Sequence, residues 1–506
     1  MRIKSSIKNI SSGMILQVVT MVTGFVTRTL FINILGNTYL GVSGLFSNIL
    51  SLLSLAELGI GQAITFSLYK PIAEDDEDKI CRIMNFYKQV YRVIFVFVLV
   101  AGLVLTPFLP YIIKNFEDIP NLSLIYVMYV INSAVSYLFI YKSTLVIASQ
   151  RDYVVNKITY IFSVIMTVVQ IIVLIIFRNY LVYLSSQIIM VIIQNIVIAR
   201  EADKMFPSLK TNKKAKLEAD EKKGITKNIR ALMIYKVGTL ALNSTDNILI
   251  SAFVGVIKLG LYSNYTLITS SISKILSTVF NSLTASIGNL NTVETREKKA
   301  DMFNIINLST FWLYGVCSIC IFCVANPFIE AWIGREYWLS MRELFVIVLN
   351  MYIGGMLFTP LNYRQTMGLF VYGKLRPIIS AVINLVASVI LGKRLGLEGI
   401  LWGTIIARVT TNVWFDPYII FKKGLEMSPK GYFYDYILKF AIYMVTLGGC
   451  YGLVMLIPDF TLSFIVKAVV TFAVSNLVFF IIYGKSKEVK YLYDVIKRMI
   501  TQRGKV

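Results

Sequence analysis

Apolar runs long enough to cross a bilayer recur throughout this chain and leave it few folds to choose from. The first two are GMILQVVTMVTGFVTRTLFINILG, residues 13–36, and YLGVSGLFSNILSLLSLAELGIGQAITF, residues 39–66. A spanning helix needs about 20 mostly apolar residues. Inside hydrocarbon every backbone N–H and C=O must be satisfied internally, which admits only helices and closed barrels. Barrel strands would alternate over about 10 residues, whereas these runs are continuous, so helices are expected. Composition agrees: of 506 residues 56% are hydrophobic and 15% charged, against about 25% charged in soluble domains.

Apolar runs read against breakers predict fourteen spans, at 12–35, 40–67, 90–113, 121–148, 158–177, 181–199, 233–255, 260–288, 302–326, 342–366, 377–392, 400–421, 437–457 and 462–483. The basic leader MRIKSSIKN does not make the first run a signal peptide. That run exceeds the roughly 7 to 15 residues of an h-region and contains Arg28, so an uncleaved span is expected. With the N-terminus inside, the inner loops and tails hold 36 of the 50 basic residues and the outer loops seven. Both termini are therefore expected to be cytoplasmic. The formal charge of +22 is accounted for by this topology and by contact with lipid headgroups, and argues for no nucleic-acid partner.

The stretch READKMFPSLKTNKKAKLEADEKKGITKNIR, residues 200–230, is the most polar of the chain and reads as a flexible connector. The expected organisation is an N-lobe at 1–199 (spans 1–6), a cytoplasmic connector at 200–232, a C-lobe at 233–421 (spans 7–12), and two further spans with a basic tail at 422–506. A shift of 219 residues aligns Gly36 with Gly255, Gly41 with Gly260, Lys79 with Lys298, Asn85 with Asn304, Tyr153 with Tyr372 and Lys157 with Arg376. Six spans, an even number, separate the two halves. The fold expected is therefore all-α and polytopic, with two six-helix lobes related by a parallel pseudo-repeat and two appended helices.

No histidine is present, and Cys317, Cys320 and Cys323 lie at intervals of three in an apolar run without partners for a metal or redox site, so they read as small packing residues. Neither a phosphate-binding Gly-x4-Gly-Lys-Ser/Thr loop nor a metal motif occurs. The expectation is a gradient-coupled carrier with no catalytic residues, metal or cofactor, and with Na⁺ or H⁺ as the coupling ion.

Charges inside the spans single out candidate sites, because each costs on the order of 3 kcal/mol at such depth. Lys274 sits midway along its span, beyond snorkelling distance. Arg28 leans toward the midplane, since helical side chains tilt toward the helix N-terminus. Arg364 and Arg408 lie nearer span ends and are candidate substrate ligands, with snorkelling to headgroups the alternative reading. Polar stripes accompany the charges: Gln17 with Arg28 on span 1, Asn243 and Asn247 beside Asp246 on span 7, and Lys274 with Asn281 on span 8. Such stripes point into bundles and imply a hydrated cavity. Each half pairs an acid with a cation, Arg28 with Glu57 and Asp246 with Lys274. Two readings stand: structural ion pairs, or cations that bind an anionic substrate while Glu57 or Asp246 exchanges a coupling ion.

The stretches LAELGIGQAI (55–64), ASQRDYVVNK (148–157), LNSTDNILISAFVGVIKLGLYSNY (242–265) and GLEGILWGTIIARV (396–409) resemble oligosaccharide flippases of the polysaccharide transporter (Wzx-like) family, within the multidrug/oligosaccharidyl-lipid/polysaccharide (MOP) exporter superfamily. The resemblance implies twelve or fourteen helices in two lobes, location in the bacterial cytoplasmic membrane, and alternating-access movement of undecaprenyl-diphosphate-linked oligosaccharide from the inner to the outer leaflet. Glycan polymerases and glycosyltransferases are the partners it implies beyond the bilayer. Arg28 resembles in position an arginine of the first helix that holds diphosphate in related lipid II flippases, and Lys274 would act beside it as a point charge. Asn247 stands at the repeat equivalent of Arg28, so the binding groups would be asymmetric. Lipid II flippases and MATE-like cation-coupled drug exporters are the alternatives within the superfamily.

Overall fold

A computed structural model describes residues 2–53, 57, 60–113, 119–138, 140–149, 151–211, 217, 221–222, 226, 245–281, 295–369, 372–373, 375–458 and 463–494. Helices account for nearly all of them, and no strand occurs among the described residues. Those of nine residues or more are numbered in chain order. They are α1 (Arg2–Leu35), α2 (Asn37–Leu53), α3 (Ile60–Ala73), α4 (Glu77–Leu105), α5 (Leu122–Ser136), α6 (Ile140–Ala148), α7 (Asp152–Phe177), α8 (Tyr180–Met205), α9 (245–253) and α10 (Val256–Asn281). After a break follow α11 (Arg296–Ile333), α12 (Met341–Met356), α13 (Phe358–Thr366), α14 (Arg376–Leu395), α15 (Leu397–Ile419), α16 (Lys430–Met455) and α17 (Ser463–Tyr483).

Among the described residues, nine of these helices or helix runs are long and apolar enough to cross a membrane, and the bent pair α5–α6, 41° apart, makes a tenth. These ten coincide with ten of the expected spans. Of the other four, 40–67 is divided between α2 and α3, 260–288 is the polar α10, 400–421 is α15 with its charges, and most of 233–255 lies outside the described residues. The chain is a multi-pass helical membrane protein.

Local chemistry sets the helix ends. Asp76 caps α4 by accepting from the Lys79 N–H at 2.9 Å, with Glu77 and Asp78 in the first turn, where carboxylates complement the helix dipole. Ser340 and Glu343 form a capping box on α12. Pro417 near the end of α15 removes a backbone donor, and the chain continues into a π-turn at Ile420–Gly424.

On α14 burial is inverted relative to a surface helix of a soluble protein. On α14, Ser380, Asn384, Ser388 and Gly392, four residues apart, are buried, while Ile379, Val382, Val386 and Ile390 are exposed. Apolar surface gains nothing by leaving lipid, so helices associate through small residues and interhelical hydrogen bonds. The buried stripe of α14 meets α15 in this way. Asn384 donates to Thr404 at 2.9 Å, Ser388 to the Ile400 carbonyl at 2.9 Å and Thr411 to Ser380 at 3.0 Å. A Cβ on Gly403 would lie 2.1 Å from the Ser388 Oγ, so only glycine permits this approach.

Backbone contacts divide the chain into two compact units, Met1–Ser263 and Asn264–Val506, with the division inside α10. In the first unit Tyr87, Tyr91, Tyr126 and Phe46 are fully buried. In the second, Tyr352 stacks on Tyr443 with centroids 3.9 Å apart, and Phe311 packs on Phe479 at 4.8 Å.

The pseudo-repeat appears in the backbone. Gly36 and Gly255, related by the 219-residue shift, both adopt positive φ, +84° and +115°, between one helix and the next. Gly41 and Gly260 are likewise related, and their environments are reciprocal. A Cβ on Gly41 would meet the Val256 carbonyl oxygen at 1.9 Å, and one on Gly260 would meet the Asn37 carbonyl oxygen at 2.4 Å. Because Asn37 shifts onto Val256, the two contacts are one contact seen from both repeats. Asn37 adds a hydrogen bond from Nδ2 to the Ile257 carbonyl at 3.0 Å.

Candidate substrate site

Arg28 lies on the last third of α1, half-buried. The start of α10 is brought beside the turn after α1 by the reciprocal glycine contact, and the Arg28 guanidinium donates through Nη2 to the Ser263 Oγ of α10. That hydroxyl donates onward to the Gly260 carbonyl at 2.7 Å, which orients its lone pairs toward the arginine. Thr23, on the same helix, meets Ser163 of α7 at 3.2 Å. Gln17 lies in the same helix, with its side chain outside the described residues.

Glu57 is half-buried in the interval between α2 and α3 and accepts from the Tyr91 hydroxyl at 3.4 Å. Tyr91 itself is buried in α4, and its neighbour one turn earlier, Tyr87, donates to the Ile60 carbonyl at 3.4 Å. The acid is thus tied to α4. Asp246 and Asn247 are half-buried in the first described turn of α9, and Asn243 lies outside the described residues.

Of the stripe expected on α10, Ser270, Lys274 and Asn281 are exposed and Ser277 is half-buried. Ile275, Thr278 and Val279 are exposed beside them, whereas Tyr265, Thr269, Leu276 and Phe280 are buried. Tyr265 fixes the buried side by donating to Asn326 of α11 and accepting from the Leu339 N–H at 3.0 Å. The Lys274 ammonium is therefore presented on a face that the described residues leave uncovered.

The other two predicted cations have firm partners. Arg364 of α13 is buried, with 5% of its side chain exposed, and donates to the Asp416 Oδ1 at 2.8 Å. It also donates to the carbonyls of Leu369, at 3.4 Å, and Tyr372. Arg376 takes the other oxygen of Asp416, and both guanidiniums approach the Phe415 ring, at 5.8 and 6.0 Å. Arg408 of α15 donates to the Asn350 carbonyl at 2.7 Å, and Asn350 donates back to the Leu401 carbonyl at 3.1 Å. That exchange joins α12 to α15.

No protein-family model matches the chain, and no curated protein matches it. Solved structures do. The lipid II flippase MurJ in an inward closed conformation superposes with a TM-score of 0.68 at 12% identity, over 93% of this chain and 98% of that one. An inward-facing multidrug resistance MATE family transporter of the MOP superfamily gives 0.61 at 13% identity, over 78% and 93%. The MATE multidrug transporter DinF-BH gives 0.54 at 16% identity, over 83% and 96%. The chain shares the fold of these transporters.

Nothing local in the sequence marks Asp416 and Arg376 as partners of Arg364: Asp416 lies near the end of the span expected at 400–421, and Arg376 just before the one expected at 377–392. Their partnership with Arg364 joins residues 52 and 40 positions apart, and no local pattern announces it. The one available signal was Arg364 itself, since a buried charge needs a partner, and a carboxylate shared with a second arginine supplies it.

Proposed function

We propose that the protein is a flippase that moves undecaprenyl-diphosphate-linked oligosaccharide from the inner to the outer leaflet of the bacterial cytoplasmic membrane by alternating access. Its product would serve capsule, exopolysaccharide or cell-wall glycan assembly, with glycan polymerase and glycosyltransferases as functional neighbours. The observation that carries the reading is a cationic one on a MOP fold. Arg28 reaches from the first helix to α10, and Lys274 stands on the exposed face of that same helix. Arg28 suits a diphosphate because its planar donors engage two oxygens at once, and Lys274 supplies a compact positive charge. Gln17, Asn243, Asn247 and Asn281 are assigned to hydrogen bonding with diphosphate or sugar. Glu57 and Asp246 take the coupling ion, H⁺ or Na⁺, or serve as counter-ions when the site is empty.

Arg364 and Arg408, which the sequence also offered as substrate ligands, are assigned a supporting role here because each has an internal partner. Both termini are assigned to the cytoplasm on the distribution of basic residues. The likeness to MurJ favours a second reading with the same chemistry, in which the cargo is lipid II. A MATE-like drug exporter is less well supported, because a cationic drug would meet Arg28 and Lys274.

The test is export of surface glycan in cells that depend on this protein, with the amount of folded protein followed by size-exclusion of a fluorescent fusion. Arg28→Ala and Lys274→Ala should each lower export while folded protein persists in the membrane. The expected loss is about 10- to 100-fold in apparent substrate affinity, the range for hydrogen bonds to charged groups. Wild-type export by a folded double variant would remove the assignment. Drug resistance on overexpression, with surface glycan unchanged, would transfer the protein to the exporter class.

A further inference from the structure

Residues 200–230 form the most polar stretch of the chain, and Phe206, Leu209 and Leu217 stand among its charges. All three are half-buried and pack against the core of the first unit. That core includes Ile60, Ile64 and Leu68 of α3, Tyr87 and Tyr91 of α4, and Leu145 of α6.

Polar contacts fix the same stretch. The Lys142 ammonium of α6 donates to both carboxylate oxygens of Asp203 at 2.7 Å, which pins the end of α8 three residues before Phe206. Beyond Leu217, Glu221 pairs with Lys79 in the first turn of α4 at 2.9 Å, and its second carboxylate oxygen is buried. Lys222 lies over the Phe86 ring of the same helix, 5.8 Å from its centroid. An ion pair this open to solvent contributes little by itself. The apolar side chains supply the stabilisation and the charges set where the segment lies on α4.

From that contact α4 leads to Glu57. Phe86 packs edge-on against Tyr87 with centroids 6.1 Å apart, and Tyr87 donates to the Ile60 carbonyl at 3.4 Å. One turn further, Tyr91 donates to Glu57 at 3.4 Å. Residues 86 to 91 cover only about 7.5 Å of helix. Over so short a length the helix is stiff, and whatever fixes Phe86 also fixes Tyr91.

We propose that the connector is a strap that positions Glu57. Leu217, Glu221 and Lys222 are positioning residues: they hold α4 against α3, and α4 holds the acid through the Tyr91 hydroxyl. A tether needs only sufficient length to join two bundles, whereas separated side chains docked on one helix give this segment a second task. The strap lies within the first unit and does not depend on which substrate is carried.

Labelling of Glu57 by a hydrophobic carbodiimide, read by mass spectrometry on the full-length protein in lipid nanodiscs, tests this at the acid itself. Leu217→Ala with Glu221→Gln should raise labelling by about tenfold, the order for one hydrogen bond to a charged group. Tyr91→Phe should raise it to the same extent, and combining it with the connector pair should raise it no further, because both remove one interaction. Exchanging the ion pair, Lys79→Glu with Glu221→Lys, should keep labelling near wild type, whereas Glu221→Lys alone should not. Lys204→Gln, at an exposed position of α8, is the control and should change nothing. Unaltered labelling in the connector pair would overturn the proposal. So would effects of the connector pair and Tyr91→Phe that multiply, or an equal rise in the control. The readout needs no transport, so a failed flippase assignment leaves its result standing.

Discussion

Helices α10 and α14 both carry polar residues every fourth position, and they use them in opposite ways. On α10 the polar stripe, Ser270, Lys274 and Asn281, is exposed. On α14 the stripe of Ser380, Asn384 and Ser388 is buried against α15 and spends its hydrogen bonds there. Periodicity is the same in both. What separates them is the partner: α15 offers Gly399 and Gly403, whose missing side chains let the α14 stripe approach, and the exposed face of α10 has no such neighbour among the described residues. A polar stripe in an apolar helix is therefore either a seam or a lining, and the facing helix decides which.

The charged residues divide in the same way, and the largest expected effect lies there. Asp416→Ala leaves two buried guanidiniums without their carboxylate and should cost about 3–5 kcal/mol. Loss of monodisperse protein on size-exclusion, or a collapsed melting temperature in detergent, checks it. A near-normal melt would mean that the triad is hydrated and belongs with the lining group rather than the seam group.

A smaller effect tests the seam itself. Gly403→Ala sets a methyl group 2.1 Å from the Ser388 Oγ, and the strain should cost about 1–3 kcal/mol. Pairing it with Ser388→Ala should recover little of the loss, because the Ser388 backbone nitrogen and Cα still lie 2.6 and 2.8 Å from the added methyl group. Melting curves of the single and double variants give the answer, and full recovery in the double variant would show that the backbones of α14 and α15 do not meet at this point.

The smallest effect belongs to the lining. Lys274→Gln should change stability by no more than about 0.5 kcal/mol, as for other exposed positions, even where it lowers export. A melting loss as large as that of Gly403→Ala would move Lys274 to the seam group and remove the reason for assigning it to substrate.

Much of this contrast was legible in part. The sequence placed Lys274 on a polar face and out of snorkelling range, and the structure presents it exposed. It pairs Arg28 with Glu57 across one hairpin but holds no sign of two partners the structure adds: Arg28 donates to Ser263, 235 positions away, and Glu57 accepts from Tyr91, 34 positions away. Arg364 stood out as a charge in a span, but its partner Asp416 is 52 positions off and follows from no spacing rule. The Lys142–Asp203 pair is invisible for the same reason, since 61 positions separate its two members.

Length and period are local properties of a chain, fixed by helix geometry and bilayer thickness. From them alone the sequence determined a polytopic helical protein, ten of whose expected spans recur as helices or a bent helix pair. The 219-residue shift also points to the repeat, because the glycines at 36 and 255 both sit at positive φ and those at 41 and 260 both lie where a Cβ would clash. Tertiary structure alone decided which polar stripe is covered, which arginine is neutralised and which acid Lys142 meets. Those outcomes depend on what packs against a helix face, and a side chain's sequence neighbours do not specify what lies across from it.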